Sequence, residues 1–431
     1  MASTDLRQLL DVVGGWEGFE IAEWVTDDTP APDALGLPAP RLTITLRPKH
    51  DAVRRCSRCG TVVDVIHDVS ERRVRDLPLV QYDVWLVVPQ ARVRCPRCGP
   101  TVEDIAWLDR YQRVTKRLAE TLARLAQVMP VTQVAARYHV SWDTVKQIDK
   151  RALVARLGPL AQSDFSTVRR IAIDEFALRR GQRYATVVVD VDRKRVLWVS
   201  PGRDAEALSG FFTALGPEGR ARLEAVVIDL SRSYLKAVRT HCPQAAIVYD
   251  LFHALQWYTV DVLDRVRRDE ANRIARPTRH HRRIYVQNLR RVLTGKGVRW
   301  LLLRAREHLR SPAEHVRLDE LLAVNRSLFV AYVLKEDLRR LWQLRDAHLA
   351  REAWHSWYRR ACESGIAALV RFANRLAHVA DYIINHARHP LHTSLLEGIN
   401  NKIKVMKRMA YGYRDQEYFF LKIRAAFPGI S

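Results

Sequence analysis

The chain has 431 residues, enough for more than one hydrophobic core, since domains usually run to about 50–250 residues. Lys and Arg total 71 against 48 Asp and Glu, a formal net charge of +23 that is spread along the chain and calls for a polyanionic partner, nucleic acid above all. No stretch approaches the roughly 18 consecutive apolar residues of a membrane span, and the N-terminus lacks a basic-then-apolar leader. The six cysteines form two close pairs plus the separate Cys242 and Cys362, not a disulfide framework. A cytoplasmic, soluble protein without disulfides is expected.

In chain order, residues 1–45 are an N-terminal segment with a turn-rich stretch, TPAPDALGLPAP, where close prolines prevent regular structure; no function is assigned there. Residues 46–110 read as a small β module, with strand-like runs such as TVVDVI and YDVWLVV between the cysteine pairs. Residues 111–160 become helical, in three short helices separated at Pro130 and at the corner His139–Ser141. From 165 to 265, IAIDEFAL, YATVVVDVD and RVLWVS predict three strands ending in a hairpin turned by Asp192, Arg193 and Lys194, with Asp190 and Asp192 serving the turn. Leu208, Phe211, Phe212 and Leu215 then fall on one face of a helix, followed by strand LEAVVID, helix SYLKAVRTH and strand AAIVYD. That alternation argues for parallel pairing through right-handed crossovers. Residues 266–390 are a mostly helical insertion, and 391–431 return to the sheet domain with a helix over 394–409 that buries Leu396, Ile399, Ile403 and Met406 and stops near Gly412.

Cys56-Ser-Arg-Cys59-Gly and Cys95-Pro-Arg-Cys98-Gly are two copies of one knuckle, in which a tight turn aims both thiolates at one ion. Four sulfurs suit a single structural Zn²⁺ and leave no open position for catalysis. A redox dithiol uses one such motif beside a βαβ unit rather than two matched pairs. VTQVAARYHVSWDTVKQI places Val134, Ala135, Tyr138, Val140, Val145 and Ile148 where two short helices pack across a corner, with Ser141 as N-cap of the second. That helix shows Trp142, Asp143, Lys146, Gln147 and Lys150 outward; Trp142, Lys146, Gln147 and Lys150 are candidate DNA contacts. An ordinary helical hairpin with solvated Lys and Gln would carry the same pattern.

Asp174, Asp229 and Glu397 stand at strand ends or a helix start, and carboxylates converging there would suit Mg²⁺ or Mn²⁺, two ions in phosphodiester chemistry. From spacing alone each has a second reading. Asp229 and Asp250 can be N-caps, Ser394 and Glu397 fit a capping box, and Glu175 should point to the face opposite Asp174.

IAIDEFALRRGQRYATVVVDVDRKRVLWVSPGRD, VVIDLSRSYLKAV, VYDLFHALQ and LLEGINNKIKVMKRMAYGYRDQEYFFLKI resemble the bacterial insertion-sequence transposases of the ISL-three type. The resemblance spans nearly the whole chain. It implies a multidomain α+β protein: a four-cysteine zinc ribbon, a helix-turn-helix, and a ribonuclease-H-like α/β catalytic domain with a DDE triad, interrupted by a mostly helical insertion. Carried over, the triad is Asp174, Asp229 and Glu397, and the family's Asp-x-x-His signature falls on Asp250 and His253 as supporting residues. It further implies binding to the element's terminal inverted repeats and to target DNA, metal-dependent cleavage and strand transfer, and a homodimer or larger assembly on DNA, in the bacterial cytoplasm near the nucleoid. Lys402, Lys404, Lys407 and Arg408, and the run RPTRHHRRIYVQNLRR, are available to neutralise phosphates. Trp300, Trp342, Trp354 and Trp357 could stack on an unpaired base, though helical spacing fits core positions better. A regulator that binds DNA without cutting, or a nuclease without strand transfer, are the rival readings.

Overall fold

The computed structural model describes residues 14–28, 39–159, 163–179, 183–229, 231–274, 287, 292–294, 297–304, 306–323, 325–391 and 394–430. Most of TPAPDALGLPAP and, apart from Gln287, the whole basic run at 276–291 lie outside them. The chain divides into two compact units, one of residues 1–158 with 406–422, the other of 159–405 with 423–431.

The first unit begins with a five-stranded sheet of β1 (Phe19–Asp27), β2 (Arg41–Pro48), β3 (Ile66–Arg75), β4 (Asp83–Cys95) and β5 (Gly99–Val102), in the order β1-β2-β4-β3 with β5 also on β4. Alternation along β2 and β4 turns Leu42, Ile44, Leu46, Val84, Leu86 and Val88 into one core with Ile21 and Val74. Two expectations need correction. The boundary at residue 45 cuts through β2, which pairs antiparallel with β1 along its whole length, so the N-terminal segment is part of the zinc-bearing sheet. TVVDVI is not a strand: Val62 makes only an isolated bridge to Arg55, and the strand starts at Ile66. Val62 and Val65 are exposed, so their apolar character has no core to face. The long hairpin of β3 on β4 forms as expected.

Three helices follow, α1 (Lys116–Ala126), α2 (Val131–Arg137) and α3 (Trp142–Leu157), divided at Pro130 and at a corner where His139 takes a positive φ. Val134, Ala135, Val145 and Ile148 are buried with Leu118 and Leu122, Tyr138 and Val140 pack beside them, and Ser141 caps α3 by accepting from Thr144 N–H. Asp76, fully buried, fastens the helices to the sheet: it accepts from Trp16 Nε1 (2.9 Å), Thr115 Oγ1 (2.6 Å) and Arg117 Nε (2.7 Å). A buried carboxylate so fully partnered is a joint that a neutral residue would leave open.

The second unit is built on the sheet β10-β9-β6-β7-β8, from β6 (Arg170–Arg179), β7 (Arg183–Asp190), β8 (Arg195–Pro201), β9 (Ala225–Ile228) and β10 (Ala246–Tyr249). β6, β7 and β8 run antiparallel, while β9 and β10 are parallel to β6, as strand–helix alternation predicts. Asp190 Oδ1 accepts from the amides of Asp192 and Arg193 in the β7–β8 turn. Helix α4 (Ala205–Ala221), kinked at Gly216, buries Leu208, Phe211, Phe212 and Leu215 against the sheet, and α5 (Arg232–His241) joins β9 to β10. From α6 (Leu251–Tyr258) to Arg388 the described residues are mostly helical, with a π turn at Thr259–Leu263 and then α7 (Asp264–Ile274), α8 (Val298–Leu303), α9 (Pro312–Ala323), α10 (Arg326–Leu341), α11 (Ala347–Glu363), α12 (Ala367–Ala377) and α13 (Ala380–Arg388). Trp342, Trp354 and Trp357 are core, with Trp342 Nε1 donating to Tyr249 O and Trp357 Nε1 to Leu334 O. Of the four tryptophans singled out in the sequence, Trp300 alone is exposed. The chain ends in α14 (Ser394–Met409) and α15 (Gln416–Ala426).

Candidate functional site

The registers of three neighbouring strands fix the centre of the site. β6 pairs β9 through Ala172↔Val227, and β9 pairs β10 through Ile228↔Tyr249. Continued past the last pair, these registers set Asp174, in the middle of β6, level with Asp229 and Asp250, which directly follow β9 and β10 at the carboxyl edge where open α/β sheets bind their ligands. Asp174 and Asp250 are buried and Asp229 half-buried. Their side chains are individually fixed. Asp174 Oδ1 accepts from Glu175 N–H at 2.8 Å, Asp229 Oδ1 from Ser231 N–H at 2.9 Å, and Asp250 Oδ2 lies 2.8 Å from His253 Nδ1.

Burial, then the charges of Asp250 and Asp229, pushes the Asp174 carboxyl up to about 6 against the lowering effect of His253. Asp229 is raised too, by burial first and by Asp250. Burial alone would lower His253, but its bond to Asp250 and the charges of all three aspartates overcome this and raise it to about 9. The three aspartates thus favour the protonated form of His253. Glu175 was assigned by alternation to the opposite face, yet its carboxyl, raised mainly by burial, also senses Asp229 and His253. It lies where β6 runs on beyond the end of β9 while still paired with β7 through Thr186, so charges at the strand ends reach it without a change of face.

Glu397 is exposed on the first turns of α14. The residue of that helix which reaches the aspartates is Asn400, one turn on, whose Nδ2 donates to Asp174 Oδ2 at 2.7 Å. Among the described residues, neither Asp174, Asp229 and Glu397 nor Asp174, Asp229 and Asp250 form a set with all ligand oxygens within 4.8 Å of one another; the three aspartates are near enough for Asp174 to sense the charge of the other two. Asn400 was missed in the sequence, although its i+3 spacing from Glu397 places both on one helical face.

Cys56, Cys59, Cys95 and Cys98 do meet that criterion, their sulfurs all within 4.8 Å. Cys59 Sγ is 3.5 Å from Cys95 Sγ, too long for a disulfide and close to the roughly 3.8 Å edge of a tetrahedron of zinc–sulfur bonds. Gly60 and Gly99 take φ of +71° and +70° directly behind the two knuckles, the left-handed turn for which glycine suits these positions. The Thr61 hydroxyl and amide hold the Cys59 thiol down to about 6, while the neighbouring Cys59 pushes Cys98 up to about 12. Sulfurs crowded so that they cannot all shed protons unaided fit a structural zinc site.

On α3, Trp142 and Gln147 are exposed as expected for groove contacts. Lys146 and Lys150 are not free: Asp415 Oδ2 lies 3.0 Å from Lys146 Nζ and 3.3 Å from Lys150 Nζ, and Glu417 lies 2.6 Å from Lys150. The C-terminal segment returns to pack here, with Tyr418 Oη and Lys422 Nζ both on the fully buried Asp149. Contacts some 265 residues apart in sequence leave no local signal. On α14, Lys404 and Arg408 are exposed, Lys407 is half-buried, and Lys402 donates to Ala426 O at 2.9 Å.

Comparison with known proteins gives the context for these sites. Residues 171–423 match the DDE domain of ISL3 elements, described as "Transposase". Residues 103–153 match the "Helix-turn-helix domain of transposase family ISL3", and 52–98 the "zinc-finger of transposase IS204/IS1001/IS1096/IS1165". The chain is 47% identical over 426 residues, 98% of each protein, to the transposase for insertion sequence element IS1001 of Bordetella parapertussis. It is 32% identical over 396 residues, 88% of this chain and 86% of the relative, to the transposase for insertion sequence element IS1557 of Mycobacterium tuberculosis. With its four-cysteine zinc ribbon, helix-turn-helix and DDE domain in the same order, the chain belongs to the ISL3 family of insertion-sequence transposases.

Proposed function

We propose that this protein binds the terminal inverted repeats of its insertion sequence and performs metal-dependent cleavage and strand transfer at a ribonuclease-H-like site formed by Asp174, Asp229 and Glu397. The level placement of Asp174 in β6 with Asp229 and Asp250 just past the adjacent ends of β9 and β10 carries this reading. The order of the sheet, with its second strand antiparallel and its fourth beside its first, supports the fold assignment. The carboxylates are hard oxygen donors, and two of them are raised by burial and mutual repulsion, which suits Mg²⁺ or Mn²⁺. When bound, such ions activate an attacking oxygen and stabilise the leaving one. Asp174 and Asp229 would hold them from the sheet and Glu397 from α14.

The chain's own residues do the rest. Asp250 fixes the His253 ring, whose positive charge balances the aspartates and is available to a scissile phosphate. Trp142 and Gln147 would enter the major groove, and Lys146 and Lys150 would join them on exchanging Asp415 and Glu417 for phosphates. Lys404 and Arg408 would neutralise backbone near Glu397. Joining needs two ends held together, so a dimer or larger assembly forms on DNA.

Incubating the purified protein with a labelled repeat-bearing duplex, a target plasmid and Mg²⁺ tests this reading. Joined products are the expected result. Cut ends without joining would indicate a nuclease, and binding without cutting a regulator.

A further inference from the structure

Asn400 has a feature that holding Asp174 does not explain. Its Nδ2 donates to Asp174 Oδ2 at 2.7 Å, and since a carboxylate only accepts, the amide end facing it must be the NH₂. That fixes the position of Oδ1. The oxygen is shielded from solvent and has no hydrogen-bond partner. Both amide atoms share one carbon, so it lies within a few ångström of the Asp174 carboxylate. A buried acceptor without a donor or cation is uncommon and calls for a partner.

The amide and ring donors of the neighbouring aspartates are committed to them. Glu175 N–H goes to Asp174, Ser231 N–H to Asp229, and His253 Nδ1 to Asp250. Apart from His253 the cluster is made of carboxylates, and a carbonyl oxygen left without a donor beside Asp174 is satisfied by a cation. We propose that Asn400 Oδ1 is a further ligand of the divalent-cation site, beside Asp174 and Asp229 and one turn from Glu397. The inference rests on the reading of the site given above. A neutral amide adds an oxygen donor without adding charge to crowded carboxylates. The same side chain orients Asp174 through its NH₂.

The experiment measures Mn²⁺ binding to the zinc-loaded full-length protein by electron paramagnetic resonance, with thermal melts to verify folding. Asn400→Ala should weaken Mn²⁺ by about tenfold or more. Asn400→Asp keeps an oxygen there but loses the NH₂, so it should bind Mn²⁺ within a few-fold of wild type. Wild-type affinity in Asn400→Ala overturns the proposal, as does loss in Asn400→Asp as complete as in Asn400→Ala, which would mean that the amide only positions Asp174. Asp229→Asn separates the two levels. If it weakens Mn²⁺ while Asn400→Ala does not, this inference alone fails; if it binds as tightly as wild type, the site reading fails with it.

Discussion

Asp174 is held where two demands conflict. The sheet buries it beside Asp229 and Asp250, which pushes its carboxyl up to about 6, whereas chemistry on a phosphodiester requires it ionised around a cation. Asp174→Asn removes the charge and keeps the shape. It should lose cleavage by about a thousandfold or more, while its stability without divalent cation, read by urea unfolding, stays level or rises by about 1–2 kcal/mol. A large loss of stability would instead make Asp174 a structural residue. Trp357 is the opposite case. It is 2% exposed and donates to Leu334 O at 2.7 Å, so Trp357→Ala should cost about 3–5 kcal/mol, seen as a lower denaturation midpoint. The aspartates were legible because an apolar strand pattern followed by Asp recurs in IAIDEFAL, VVIDLS and VYDLFH. Asn400 was not, since its hydrogen bond spans 226 residues.

At the scale of elements, the C-terminal segment is the part that no local pattern announces. Asp415 and Glu417 pair with the two lysines of α3 that were read as DNA contacts, and Tyr418 and Lys422 anchor the segment on Asp149. Asp415→Asn with Glu417→Gln should free Lys146 and Lys150, tighten DNA binding at low salt and steepen its salt dependence by about one to two counterions. Unchanged affinity and slope would remove these lysines from the DNA face.

Burial alone would raise Asp415, but the Tyr418 amide and the two lysines prevail and hold it down to about 2. Its folded value is depressed, so its contribution is present above the ordinary 3.8 and disappears as pH falls from there through about 2. For a carboxylate one-quarter exposed this is about 2 kcal/mol at most, less after solvent screening. The stability difference between wild type and Asp415→Asn should therefore shrink as pH is lowered from 5 towards 2.

The zinc knuckles were legible outright, because paired Cys-x-x-Cys-Gly motifs encode both ligand and turn. The pairing of β1 with β2 was hidden by the proline-rich stretch between them. Cys95 ends β4, which pairs with three other strands, so Cys95→Ser should reduce bound zinc from one ion per chain and lower the unfolding midpoint of the whole first unit. Metal analysis and circular dichroism check both. Full zinc content with an unchanged midpoint would contradict the four-sulfur site.

For the whole molecule, a net charge of +23 and three matched domains in one order belong to an insertion-sequence transposase and imply binding to DNA. The division of labour is visible in the fold: zinc ribbon and helix-turn-helix share one unit, and the carboxylates lie in the other. The domain order was readable from composition and period, since strand and helix patterns change with each boundary. What was not readable is that the first unit recruits residues 406–422 from the far end of the chain, a closure made by tertiary contacts alone. The central claim is that Asp174, Asp229 and Glu397 act together through divalent metal. The most direct measurement is Mg²⁺-dependent cleavage of a repeat-bearing duplex by wild-type and Asp229→Asn proteins, with DNA affinity measured in parallel. Loss of cleavage by about a thousandfold or more, at DNA affinity within about twofold of wild type, is predicted. Wild-type cleavage by Asp229→Asn would contradict the account.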